Sequence, residues 1–217
     1  MDERNEQVGG QKGVGLRERK KARTREAIAA TALRLFLQSG FEQVSITEIA
    51  EEAGVSRRSL FTYFPTKEDL VLHVFADHED EAARTVRARP AEQQPLEALR
   101  EALLAALRRR DPNTGLNDSP ESLAFYRLVG GTESLAAGLT RYTSRGIDAL
   151  AGALLESGFD PLSARLTASQ VIVLERELAD MNHQSLAGGQ SATERYPEAV
   201  RAADRAFDLL RDGLGAR

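Results

Sequence analysis

Ser45-Ile46-Thr47-Glu48-Ile49-Ala50-Glu51-Glu52-Ala53-Gly54-Val55-Ser56-Arg57-Arg58-Ser59-Leu60-Phe61-Thr62-Tyr63-Phe64 reads as two short helices joined by a tight turn. Ser45 and Glu48 have the spacing of a capping box, and Val44 and Ile49 stand at the positions of a hydrophobic staple, so a helix start is well specified there. Ile46, Ile49, Ala50 and Ala53 then share one face. Gly54 gives the backbone freedom of a bend, Val55 can plug the angle between the helices, and Ser56 can cap the second one. Leu60 and Phe64, four apart, point inward. Arg57, Arg58, Ser59, Thr62 and Tyr63 are left outside, near the N-terminal part of the second helix. A helical pair of this shape fits a DNA major groove. The competing reading is an ordinary helical hairpin whose two arginines are solvated charge.

Beyond this stretch, Phe64-Pro65-Thr66-Lys67-Glu68-Asp69-Leu70 ends the second helix at a proline and restarts one at a Thr cap with Asp69 three residues on. With that continuation, the block from Thr24 to Leu72 resembles the DNA-binding domain of the TetR family of bacterial transcriptional regulators. The resemblance is carried by Ile28, Ala32, Leu35-Phe36, Gly40-Phe41, Ser45, Ile49-Ala50, Ala53-Gly54-Val55-Ser56, Leu60, Tyr63-Phe64 and Lys67-Glu68 with Leu70. It covers about the first third of the chain. Many relatives carry Tyr where this chain has Phe61, so a phosphate contact through that hydroxyl would pass here to Tyr63 and Lys67. The resemblance implies a homodimeric regulator, usually a repressor, whose C-terminal helical domain binds an effector that loosens operator binding.

Composition bounds the same picture. The chain has 217 residues, 41% hydrophobic and 29% charged, enough for a DNA-binding unit and one larger domain. It has no cysteine, which excludes disulfides and thiolate metal sites, and no apolar run near a membrane span or recognisable signal peptide, so a cytoplasmic protein is expected. The net charge of −4 is unusual for a DNA binder until the charge is located. Residues 12–34 hold eight Lys/Arg (Lys12, Arg17, Arg19, Lys20, Lys21, Arg23, Arg25, Arg34) against Glu18 and Glu26. A polyanion is met by this local patch while the acidic remainder is held away.

Taken in order, residues 1–15 read as a disordered tail, residues 16–65 as a basic arm followed by the helix-turn-helix domain, and residues 66–217 as a ligand-binding and dimerisation domain. The arm, with Arg19, Lys20 and Arg23, either lies on phosphates and in the minor groove or is a solvated lysine-arginine run. Ile28, Ala32, Leu35 and Phe36 form the buried face of helix one, which Gly40 ends. Helix four is expected from Thr66-Lys67 to about Arg89. Further helices are expected over 96–110, 121–129, 133–157 and 160–187, and a last one from Pro197. The predicted fold is all-α: a three-helix helix-turn-helix domain and a larger C-terminal helical bundle, about nine helices, with a two-fold dimer through the last two. Gly138, Gly146 and Gly152 weaken the 133–157 helix by about 1 kcal/mol each unless packing or a bend needs them. The apolar centre Val171 to Leu174 and the stripe Val200, Ala203, Phe207, Leu210 point to the dimer interface, with Val173 and Leu174 on the first of the two helices.

Catalytic and metal chemistry have no constellation to rest on. His73, His78 and His183 make no His-Glu-x-x-His pattern, and no nucleophile elbow, phosphate-cradling loop or dinucleotide fingerprint is present in the sequence. No enzyme activity, cofactor or metal is therefore expected. Arg57, Arg58, Thr47 and Thr62 are the candidates for base edges, with Ser45, Tyr63 and Lys67 on phosphates and Ser56 and Ser59 beside them. His73, Phe125, Tyr126, Arg141 and Tyr142 are candidates to line a mostly apolar effector site, against the plainer reading of aromatic core. The expected partners are double-stranded DNA, a second copy of the chain and a small-molecule effector. The alternative function is a helical small-molecule-binding or carrier protein that does not read DNA sequence.

Overall fold

The computed structural model describes residues 9–76 and 78–213. Ten α-helices follow in order: α1 Gly9–Ser39, α2 Ile46–Glu52, α3 Arg57–Tyr63, α4 Asp69–Ala76, α5 Glu81–Ala88, α6 Pro95–Arg109, α7 Pro120–Gly131, α8 Glu133–Glu156, α9 Pro161–Ala187 and α10 Ala192–Asp212. One 3-10 turn, Pro112–Thr114, joins α6 to α7. Among the described residues there is no strand, and no helix is long and apolar enough to cross a membrane.

Three boundaries differ from those expected. Helix four is two helices, α4 and α5, separated by a turn in which the His78 N–H donates to the Phe75 carbonyl. The last helix starts at Ala192, five residues before Pro197, because Ser191 and Glu194 make a reciprocal capping box. Pro197 therefore sits inside the helix as its sixth residue, with no N–H to donate to the Thr193 carbonyl. Of the expected tail, residues 1–8 lie outside the described residues, while residues 9–15 are helical and extend α1.

The chain forms two compact units that divide inside α4, between His73 and Val74. The expected boundary, at 65/66, falls eight residues earlier. The shift has a packing cause: Leu70 and Leu72 are fully buried, and the His73 ring stands edge-on to Phe64 at 5.5 Å. In the N-terminal unit, α1 to α3 bury Ile28, Ala32, Phe36, Phe41, Ile49, Leu60 and Phe64. Ser45 accepts the Glu48 N–H and Glu48 reaches back to the Ser45 N–H, so the capping box that starts α2 is complete. Gly54 takes φ +65° between α2 and α3, a left-handed conformation that a side chain would strain.

In the C-terminal unit α8 packs on α5 and α9, and α10 packs on α6 and α9. One core joins Val86, Leu99, Leu150, Leu154, Val171 and Phe207; a second joins Leu107, Leu116, Leu186, Ala199 and Ala203. A buried polar chain pins the 3-10 turn to the last two helices. Arg195 donates to Asn182 at 3.1 Å, Asn182 donates to the Thr114 carbonyl at 3.0 Å, and the outer end of Arg195 meets Glu198 at 2.8 Å. Gly115 follows that turn at φ +67°, and a Cβ there would lie 2.0 Å from the Ala179 carbonyl oxygen. Only glycine lets the turn approach α9 so closely.

Part of the stripe expected on α10 is taken up within the subunit. Phe207 is 4% exposed and Ala203 wholly buried, both inside the subunit's own cores. Leu174 and Leu210 pack on the first core and Val200 on the second. Leu174, Val200 and Leu210 remain partly exposed, and Val173 is the most exposed of the six residues expected at the interface, at 47%. It shares an outer face of α9 with Leu162, Leu166 and Met181, which are 68%, 52% and 49% exposed.

Candidate functional site

The short helix α3 is held from below and open from above. Leu60 and Phe64 are buried, so the intervening side chains are turned outward by helical geometry. Arg57 and Arg58 are exposed in its first turn, with no ion-pair partner among the described residues. The hydroxyls beside them are spent on the helix itself. Ser56 Oγ accepts the Ser59 N–H at 3.0 Å and lies 2.8 Å from Ser59 Oγ, and Thr62 donates to the Arg58 carbonyl at 2.9 Å. Thr47 is exposed on α2, and Ser45 caps that helix with its side-chain oxygen.

Lys67 is half-buried, its ammonium 4.5 Å from the centre of the Phe41 ring and 5.7 Å from that of Phe36. A cation–π contact of this kind fixes the side chain at the edge of the core. Of the arm residues, Arg19, Lys20 and Arg23 are exposed on α1. Lys20 shares one recess with Arg17, Lys21, Thr24 and Tyr63, which joins the arm to the end of α3. Arg17 and Lys21 are additions to the expected set. Their spacing with Lys20 and Thr24, at i, i+3, i+4 and i+7, is a one-face helical signal that the sequence carried. The local charge is reduced elsewhere: Arg34 pairs with Glu52 at 2.7 Å.

The C-terminal unit holds a cavity of about 700 Å³ between α5, α6, α7, α8 and α9, with Phe75 of α4 at its wall. Leu99, Leu103, Val129, Leu139 and Ile172 supply apolar surface. Two expected residues line it, Tyr126 and Tyr142. Tyr126 donates its hydroxyl to the Pro112 carbonyl at 2.8 Å and stacks on the His183 ring at 4.6 Å. Burial, with help from Asp180, pushes its phenol well above the usual range, so it stays neutral. The other three expected residues do not line the cavity. His73 belongs to the N-terminal unit, Phe125 packs behind the wall against Phe75 and Tyr126, and Arg141 is an exposed residue of α8.

Charge in the cavity is the feature that sequence reading missed. Glu79, Glu81, Asp111, Glu175 and Asp180 line it, with Arg127 and Arg176 as the guanidinium groups. Burial, and the like charge of Glu81, raise the Glu175 carboxyl to about 7. Asp180 is also raised by burial, against the pull of Arg176. His183 is lowered, chiefly by burial. Helical spacing puts Ile172, Glu175 and Ala179 on one side of α9, but nothing in the pattern says that this side faces a void. Gly146 belongs to the same wall, since a Cβ on it would meet the Glu79 carbonyl at 3.2 Å.

Comparison with known proteins follows this geometry. Residues 28–74 match the model of the bacterial regulatory proteins of the tetR family. The chain is 36% identical over 126 residues to the HTH-type transcriptional regulator TcmR of Streptomyces glaucescens, covering 58% of this chain and 56% of TcmR. It is 37% identical over 93 residues to the HTH-type transcriptional regulator RutR of Escherichia coli K12, covering 43% of this chain and 44% of RutR. The matches thus span about half the length of these relatives. The crystal structure of NalD, the secondary repressor of the MexAB-OprM multidrug efflux pump in Pseudomonas aeruginosa, superposes with a TM-score of 0.55 at 17% identity, over 85% of this chain and 97% of that one. That likeness concerns the fold.

Proposed function

We propose, from the premise that this chain carries the DNA-binding domain of the TetR family over residues 28–74, that the whole protein is a ligand-responsive transcriptional repressor. It binds a pseudo-palindromic operator as a homodimer and releases it when an effector fills the C-terminal cavity. The observation that carries the reading is α3: two unpaired arginines at the exposed start of a helix whose other face is locked in the core. Arg57 and Arg58 read base edges, with Thr47 and Thr62 near them. Lys20, Arg17, Lys21 and Tyr63 hold the phosphates on one side. Lys67, placed over Phe41, orders the fold around the contact as well as adding charge.

Two copies supply the second half-site. The outer face of α9, from Leu162 to Met181, is the apolar surface that a second subunit covers. A two-fold pair brings two recognition helices about 34–36 Å apart, the spacing of successive major-groove faces. Regulation runs along α4, which carries Leu70 in one unit and Phe75, a wall residue of the cavity, in the other. A ligand that weakens operator binding 100-fold must bind the DNA-free form about 2.7 kcal/mol better than the DNA-bound form.

The test is selection of duplexes from a random library, followed by competition against unselected DNA. A regulator enriches one motif with two related half-sites and prefers it by about 10³-fold or more. A carrier protein that has lost sequence reading enriches none.

A further inference from the structure

We propose that the cavity takes apolar effectors carrying a positive charge, a protonated or quaternary nitrogen, and that Glu175 is the counter-ion. The inference rests on the reading of the cavity as an effector site and gives that effector its chemistry.

The argument comes from what each carboxylate already has. Glu81 meets His78 Nδ1 at 2.8 Å. Glu79 has Arg145 at 3.7 Å, although its buried Oε2 makes no hydrogen bond among the described residues. Asp111 accepts the Asn113 N–H at 3.1 Å and has Arg109 at 3.8 Å. Asp180 is held by Arg176 and His183 on its own helix. Glu175 has no hydrogen bond or ion pair among the described residues and, unlike Asp180, no opposite charge acting on it: the charge that does act, Glu81, has its own sign. It is half-buried and lines the cavity. A buried carboxylate without a partner is costly, and a ligand that pairs with it recovers that cost on binding. A neutral ligand leaves the cost in place, and an anion adds to it. Leu99, Leu103, Leu139 and Ile172 give the same cavity a broad apolar surface, so the rest of the effector is hydrocarbon or aromatic.

The test uses the full chain and three probes of equal tail length, decyltrimethylammonium, decanol and decanoate, followed by calorimetry. Wild type is expected to bind the ammonium at least about tenfold more tightly than decanol, with decanoate weakest. Glu175→Gln is expected to remove that preference and leave decanol binding unchanged. The quaternary probe does not titrate, so on wild type its affinity is expected to rise from pH 5.5 to 8.5 as Glu175 ionises. The other titratable and charged groups at the cavity, His78, Glu79, Glu81, Asp111, Tyr126, Arg127, Tyr142, Arg176, Asp180 and His183, are the same in both proteins, so the flattening of this profile in Glu175→Gln isolates Glu175. The wild-type profile also serves if the variant fails to fold. Equal binding of ammonium and decanol, or an unchanged ammonium affinity in Glu175→Gln, overturns the inference and leaves the cavity as an effector site for neutral compounds. Binding of none of the three probes removes the effector site itself, and the inference with it.

Discussion

Replacing Glu175 by Gln should stabilise the protein, and only at neutral and alkaline pH. In the folded chain burial raises this carboxyl from an ordinary 4.5 to about 7. The unfolded chain releases the proton near the ordinary value, while the folded chain keeps it until about 7. Between those values the folded state binds more protons, so its stability falls as pH rises. At about 1.4 kcal/mol per pKa unit, the shift amounts to about 3 kcal/mol once both forms are ionised. Gln keeps the shape and carries no charge to desolvate. The variant should therefore gain little over wild type at pH 5 and about 3 kcal/mol at pH 8, or roughly 6–12 °C in the midpoint for a unit of this size. Asp180, raised in the same direction, is present in both proteins and cancels in the comparison. Thermal unfolding followed by circular dichroism at the two pH values measures the difference. Equal stability at pH 8, or a loss there, would mean that Glu175 has a partner or open water and would refute the argument from burial.

Four further outcomes follow from particular contacts. Gly115→Ala sets a Cβ against the Ala179 carbonyl at a positive φ and should cost at least about 3 kcal/mol, read by chemical denaturation. Phe207→Ala should cost about 3–5 kcal/mol through a cavity in the subunit's own core, whereas Val173→Glu, on the exposed face of α9, should leave the monomer stable and abolish dimers in light scattering. Ser45→Ala should lose about 1 kcal/mol with the cap of α2, seen in unfolding of the N-terminal unit. Lys20→Ala should weaken binding to every DNA sequence alike and lower the salt slope by about 1, measured by anisotropy across a salt series.

The N-terminal unit was legible because its signals are local. A capping box, a glycine turn and four-residue apolar spacing each act within one or two turns, and Ser45, Gly54, Leu60 and Phe64 stand as those rules place them. The C-terminal unit was less so, since its decisive contacts join residues far apart in the chain. The spacing of Val200, Ala203, Phe207 and Leu210 marks a buried face but not whose core buries it. The break between α4 and α5 is announced by no cap or proline. Glu175 looked like one more charge on a long helix, and its role emerges only when α5 and α8 close the other sides of the cavity. Tyr126 and Tyr142 line the same cavity, while Phe125, one residue from Tyr126, packs against the rings of Phe75 and Tyr126 without lining it.

The central claim is that α3 reads DNA sequence through Arg57 and Arg58, and it is tested most directly by comparing Arg57→Ala, Arg58→Ala and Lys20→Ala on a selected operator and on a scrambled duplex at one salt concentration. Each arginine variant should lose about 1–3 kcal/mol on the operator and little on the scrambled duplex, while Lys20→Ala loses equally on both. If both arginine variants kept the full preference for the operator, α3 would not be the reading helix and the account would be contradicted.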